Sequence, residues 1–291
     1  MLTAAAAEEA AGTGTVAFRV PRDVVEASGP DVGSFLQGQV SQDVLGMEQG
    51  SSRWALVLQP QGKVDGWVRL VKLDDECWLL DTQAGFGSAL LERLNRFKLR
   101  VKVTFEPKTW SMVALRGPGA PAVNPPEGLV VADPEWPSVP GLDLLGPDPA
   151  VPVGVPEGHA DAYEVLRVRA GIPALGRELT ERTIPAEAGI VDRSVSFTKG
   201  CYVGQELVAR IDSRGSNTPR RLWGLRVSGA DVPAPGAAVN ADGTPVGEVT
   251  SAVRSATGEV LALAYLKRGV EPSTRVEVAG EPAEVVELPF G

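Results

Sequence analysis

Eight consecutive residues, KGCYVGQE from Lys199 to Glu206, concentrate the reactive side chains of this 291-residue chain and include one of its two cysteines. From Tyr202 onward the apolar residues Val203, Leu207 and Ile211 fall at i, i+4 and i+8, with Val208 beside them. That spacing predicts a helix with one apolar stripe. Gly200 and Cys201 would then lie at or just before its first turn, where free backbone N–H groups and the positive end of the helix dipole point outward. A thiol there shifts toward thiolate, and the Lys199 ammonium pushes the same way. The same N–H groups can cradle an anion, and Gly200 would let the backbone approach a ligand closely or take a φ that other residues resist. Gln205 lies one turn after Cys201 and Glu206 one turn after Tyr202, so these side chains stack in two rows. A plainer arrangement uses the same letters: Cys201 and Tyr202 open a packed helix, while Glu206 and Arg210 form an i,i+4 surface pair. The residues alone leave both open.

Little else competes with this stretch. The second cysteine, Cys77, stands between Glu76 and Trp78 in a hairpin, where a free thiol packs as a small hydrophobe. One histidine, His159, and two distant cysteines do not supply the ligands of a structural zinc or an iron–sulfur cluster, so no metal site is expected. His159 reads as a surface or capping residue. The net charge of −9 disfavours broad nucleic-acid binding. The basic runs RLNRFKLRVK (93–102) and RIDSRGSNTPRR (210–221) read as solvated faces, although a small polyanion would need only two or three of their charges. No uncharged apolar run approaches the roughly 18 residues of a membrane span. The start, MLTAAAAEEAAGTG, lacks the pattern of a secretion signal, and Glu8 and Glu9 oppose a transit peptide. A cytoplasmic monomer with a loose or weakly helical tail over residues 1–14 is expected.

The positioning elements follow from periodicity. A strand, a turn at SGPD and a helix capped by Asp31 come first, with Phe35 and Leu36 on one face. WALVLQPQGKV and the alternating residues on both sides of Asp74-Asp75 predict a strand followed by a hairpin. Phe86, Leu90, Leu91, Leu94 and Phe97 recur with helical period. VKVTFEP and WSMVALRG are strands again, so the first 116 residues read as α+β. Residues 117–159 contain 11 of the 24 prolines, yet GLVVAD and GLDLLG within them read as short strands. ADAYEVLRVRAGI predicts the next helix. Beyond Ser216 five or six short strands divided by turns such as ADGT and ATGE predict a small closed sheet.

KGCYVGQE resembles the signature of the YgfZ family, folate-binding proteins related to the aminomethyltransferase (T-protein) of the glycine cleavage system. FLQGQVSQDV (35–44) is similar to that family's N-terminal helix and GIPALGRELTERTIPAEAG (171–189) to the segment before its cysteine, so the likeness spans about residues 15–285. The resemblance implies an α+β fold in which two ferredoxin-like halves enclose a folate tunnel and a C-terminal β-barrel closes one side. It implies a core over 15–215, with a discontinuous first half (about 15–53 and 150–215) around a second half (about 54–149), and a barrel over 216–291.

The resemblance also implies tetrahydrofolate or a polyglutamylated derivative as cofactor, and iron–sulfur target enzymes or assembly factors as partners. Three functions are in view: a tetrahydrofolate-binding factor for iron–sulfur cluster assembly or repair, a folate-dependent one-carbon transferase, and a tRNA-modification-associated protein. Cys201 and Lys199 would carry the chemistry, framed by Gly200, Tyr202, Gly204, Gln205 and Glu206. Gln39, Asp43, Arg169, Glu187 and Arg210 would line the folate site, and Lys199, Arg193 and Arg210 could attract a polyglutamate tail. At RVRAG the chain offers Arg169 where the transferase relatives tend to have an acid. An arginine only donates hydrogen bonds, which puts transferase chemistry in doubt.

Overall fold

The chain alternates short strands with amphipathic helices, and in a computed structural model that describes every residue except Ser216 and Ala230 the elements fall in this order. First come α1 (Ala4–Thr13), β1 (Val16–Val20), β2 (Arg22–Ser28) and α2 (Val32–Gln39), then β3 (Ser52–Leu58), β4 (Val64–Lys72), β5 (Cys77–Gln83) and α3 (Gly87–Phe97). β6 (Thr104–Lys108), β7 (Ser111–Arg116), β8 (Val130–Ala132) and β9 (Gly141–Gly146) precede α4 (Ala160–Arg169), α5 (Val191–Ser194) and α6 (Gln205–Asp212). β10 (Arg220–Val227), β11 (Ala238–Ala241), β12 (Thr244–Arg254), β13 (Val260–Lys267), β14 (Arg275–Val278) and β15 (Glu281–Val286) complete the described chain.

Two antiparallel sheets and a barrel result. One sheet has the order β3-β4-β5-β2-β6, the other β1-β7-β9-β8, and β10 to β15 close into a six-stranded barrel. The α+β architecture with two sheet-bearing halves and a C-terminal barrel is therefore as expected from the resemblance. The division between the halves is not. Residues 22–108 build the five-stranded sheet, while β1 joins residues 111–146 in the other. The expected boundaries at 53 and 149 are thus replaced by a break at Pro21. Its ring denies the ladder an N–H, and β1 and β2 on either side of it belong to different sheets.

The tail expectation is also corrected. Residues 4–13 form a helix because four alanines, the strongest helix formers, follow the Thr3 cap, whose hydroxyl accepts from the Ala6 N–H at 3.3 Å. Ala7 and Ala11, one turn apart, are buried in the core that also holds Ala162 and Leu166 of α4. Glu8 ties the helix down by accepting from Arg169 at 3.2 Å and from the Ala256 N–H at 2.6 Å.

Each face of the five-stranded sheet has a different task. Ala55, Val57, Val68, Leu70 and Leu80 pack under α2 and α3. The alternate residues Trp54, Arg69 and Asp81 are direct cross-strand neighbours on the other face, as the period-2 pleat requires. That face looks toward the second sheet. There Arg69 donates to Asp81 Oδ2 at 2.7 Å and to Asp143 Oδ2 of β9 at 2.6 Å, while Asp143 Oδ1 accepts from Arg116 of β7 at 2.7 Å. Arg22 extends the chain of charges to Asp81 Oδ1 at 2.6 Å.

Burial would push the Asp143 carboxyl up, but the Arg116 and Arg69 guanidinium groups outweigh it and hold the group below the usual carboxylate range. Its contribution is therefore present above about pH 4 and fades as the pH falls through the lowered value. Asp143→Ala leaves two buried guanidinium groups under-paired. It is expected to lower the unfolding free energy by about 3–5 kcal/mol at pH 7, read from urea melts, with the gap to the wild type narrowing in acid.

Candidate functional site

Between the two sheets lies a cavity of about 170 Å³. Its wall is aromatic and cationic. Trp54 and Trp67 stack with centroids 4.3 Å apart, and their indole N–H groups are anchored outside the stack, to Pro134 O at 3.2 Å and Ser194 Oγ at 2.9 Å. Opposite them Trp136 and Tyr163 meet at 5.1 Å, and the Arg116 guanidinium lies 4.3 Å from the Trp136 centroid. Arg116 is fully buried, and its Nε has no hydrogen-bond partner among the described residues. Burial would lower the Arg69 pKa, yet Asp81 and Asp143 raise it above its ordinary value, so the cation is permanent.

Five arginines line this space against two carboxylates, Asp143 and Glu164. Burial would raise the Glu164 carboxyl as well, but hydrogen bonds from Arg167 and charge from Arg177 bring it below its ordinary value. Both carboxylates are ionised and engaged by guanidinium groups. The wall thus offers flat faces and hydrogen-bond donors.

The cysteine motif lies elsewhere. Helix α6 begins only at Gln205, because Gly204 is its cap with φ +83°. A Cβ on Gly204 would stand 2.5 Å from Gln59 O, so only glycine fits this contact with the β3–β4 turn. Cys201 accordingly sits before the helix in an exposed loop instead of in its first turn. Of the expected stripe only Val208 is fully buried. Gly200 adopts no left-handed φ, and a Cβ there would meet nothing within 4 Å, so the structure gives no steric reason for glycine at this position. Gln205 Oε1 accepts from the Tyr202 N–H at 3.2 Å and fastens the loop. Glu206 and Arg210 are both exposed, and no ion pair joins them among the described residues.

Lys199 is the anchor of this loop. Its ammonium donates to the carbonyls of Gln37, Val40 and Gln42 at 2.6, 2.7 and 2.9 Å, closing the C-terminal end of α2. Three donors meet three acceptors, so none is left for the thiol. Burial lowers its pKa to about 8, with Asp43 pulling the other way. The Tyr202 ring lies 5.1 Å from the ammonium, and burial pushes its hydroxyl up to about 12.

None of the residues expected to line a folate site borders the cavity. Gln39 lies on α2, which covers the opposite face of the sheet, and accepts from Arg93 at 3.2 Å. Asp43 accepts from Gln37 at 3.0 Å near Lys199. Glu187 is buried and holds Arg220 of the barrel at 3.1 Å. Arg210 projects from α6 into solvent. Arg169 is two residues beyond the wall residue Arg167, hence about 200° around the helix, and it turns to Glu8 and Glu259. Three residues of the wall, Arg69, Arg116 and Asp143, are signalled by single charges inside apolar strands, VRLV, ALRG and LDLL.

Residues 220–290 match the family model described as the glycine cleavage T-protein C-terminal barrel domain. The mitochondrial iron–sulfur cluster assembly factor IBA57 of Mus musculus is 32% identical over 281 residues, covering 86% of this chain and 77% of the relative. The tRNA-modifying protein YgfZ of Cronobacter sakazakii is 27% identical over 287 residues, covering 87% and 85%. The chain belongs to the YgfZ-like family. Its fold is shared with the glycine cleavage system aminomethyltransferase T of Bartonella henselae, with a TM-score of 0.83 over 99% of this chain and 89% of that one at 20% identity.

Within this YgfZ-like chain Lys199→Met removes three charge-assisted hydrogen bonds. It is expected to destabilise the protein by about 2 kcal/mol and to speed amide exchange over residues 197–204. Lys199→Arg should not restore protection, since a planar fork cannot aim at three converging carbonyls.

Proposed function

We propose that this chain is a tetrahydrofolate-binding factor for the assembly or repair of iron–sulfur enzymes in the cytoplasm. The observation that carries the reading is the aromatic, arginine-rich cavity at the centre of a chain whose relatives include an iron–sulfur cluster assembly factor. Flat walls from Trp54, Trp67, Trp136 and Tyr163 suit a fused heterocycle. Arg116, with a buried donor lacking a partner, suits its ring nitrogens or carbonyl. The space is below the roughly 300 Å³ at which sites for whole drug-sized ligands begin, so it would take a ring and not an entire folate. When bound, folate supplies one-carbon carrying capacity.

Cys201 acts apart from that ring. Its thiol is exposed, while Tyr202 beside it packs on the same apolar cluster as Trp54 and Trp67. The thiol would be offered to a partner enzyme or its cluster from a loop whose backing is the cavity wall. A one-carbon transferase is the second reading, and it needs an acid–base carboxylate beside the folate ring, whereas Asp143 and Glu164 are each engaged by two guanidinium groups. Binding of tRNA is disfavoured by the net charge of −9.

Two measurements test the proposal. Tetrahydrofolate should quench the intrinsic tryptophan fluorescence, and Trp54→Ala should weaken its binding at least about fivefold, given a stacking loss of about 1–3 kcal/mol per ring. Cys201→Ala should fail to restore iron–sulfur enzyme activity in a null strain while keeping wild-type folate affinity. Full complementation by Cys201→Ala would refute the role of the thiol, and a protein blind to tetrahydrofolate would refute the ligand.

A further inference from the structure

A second hollow, of about 460 Å³, lies where the segment after α2 meets α5 and the loop between β8 and β9. Its charged residues are sequence neighbours of the cavity wall. Arg53 precedes Trp54 and Glu135 precedes Trp136, while Arg193 precedes Ser194, whose Oγ accepts from the Trp67 indole N–H at 2.9 Å. The backbone fixes both central groups. Glu135 takes a left-handed φ of +54°, uncommon outside glycine, and its N–H donates to Asp133 Oδ1 at 2.7 Å. On α5 the Ser194 carbonyl next to Arg193 accepts from the buried Ser41 hydroxyl at 2.5 Å. Yet neither charged side chain has a partner. Arg193 Nη1 is buried without a hydrogen bond, and no side-chain hydrogen bond or ion pair joins Arg193 or Glu135 to another group among the described residues. Burial pushes the Glu135 carboxyl above its usual range and the Arg193 guanidinium below its own, and the attraction between them offsets this only in part. Half-buried charges of this kind gain from any group that pairs with them.

We propose that this hollow binds a free α-amino acid with a short polar side chain, its carboxylate on Arg193 and its ammonium on Glu135. A plain anion there would meet Glu48, Glu135 and Asp192, and a plain cation would meet Arg53 and Arg193. A ligand that bears both charges pairs with both unpartnered groups and leaves neither facing its own sign. The guanidinium fork matches a carboxylate, and a carboxylate accepts readily from the three N–H donors of an ammonium. Gln42, Ser51 and Ser52 keep the rest of the lining polar, which favours a hydroxyl over an apolar side chain. The site is separate from the cavity between the sheets and independent of what fills it. Arg193, Lys199 and Arg210, the cations that could draw a polyglutamate tail, do not border that cavity.

The test is isothermal titration calorimetry of the full chain with L-serine, L-serinamide and N-acetyl-L-serine. L-serine should bind saturably, and each blocked form, having lost one of the two charges, should bind at least about tenfold more weakly. Arg193→Gln and Glu135→Gln should each weaken L-serine binding by about tenfold or more. Arg96→Gln, on the exposed face of α3, should leave it at the wild-type value. Neither hollow variant loses a hydrogen bond within the chain, so both should melt at or above the wild-type temperature. A marked drop in melting temperature for either would reveal an internal partner and overturn the proposal. Absence of saturable L-serine binding, equal affinity for the blocked forms, or binding that survives Glu135→Gln overturns it too. Binding of N-acetyl-L-serine in preference to L-serine would make the hollow an anion site and refute the amino-acid assignment. None of these outcomes bears on the folate reading.

Discussion

A guanidinium held between two sheets organises this molecule. Arg69 of the five-stranded sheet reaches Asp143 of the four-stranded one, and each of these groups is braced by a second partner on its own sheet. A charge this deeply buried is tolerated only with its partners in place, so the two sheets are held in one relative position. The space between them cannot collapse onto an apolar core, because the arginines must stay solvated by carboxylates. The cavity is the room that remains.

This arrangement divides the labour of the chain. The aromatic and cationic cavity wall is carried by strand residues and by α4, while the motif cysteine rides on an exposed loop fixed at two points. Lys199 ties that loop to the end of α2, and Gly204 presses it onto the β3–β4 turn. The loop is consequently well placed for its thiol to meet another molecule and poorly placed for it to touch something in the cavity. Tyr202, packed against the cluster of Trp54 and Trp67, is where the loop and the cavity wall share a contact.

What could be read from the residues reflects the range of the interactions. The β4–β5 hairpin, α3, and the run of strands in the barrel follow from local period and turn chemistry, and all are present. The start of α6 was misplaced because the apolar spacing runs back to Val203, whereas the left-handed Gly204 delays the helix. The N-terminal alanines have the intrinsic preference of a helix, but their burial depends on α4, distant in sequence. The cavity was legible only as a set of charges inside apolar strands. Which of these charges meet is decided by the register of strands that pair across the fold, such as Arg69 with Asp81, and by the contact of one sheet with another. The wall is therefore assembled by contacts distant in sequence, and the residues on α2 and the far side of α4 that the resemblance implies lie away from it.

The crossing at Pro21 sets an order of assembly. As the chain leaves the ribosome, residues 22–108 can complete their sheet and the two helices over it before later segments exist. β1 has no partner until β7 is made, and the alanine helix ahead of it has no seat until α4 follows. Such distant pairings form late, because closing a long loop precedes any gain from the contact. β1 and the alanine helix are thus among the last elements to be secured, and the cavity between the sheets comes into being only when they are.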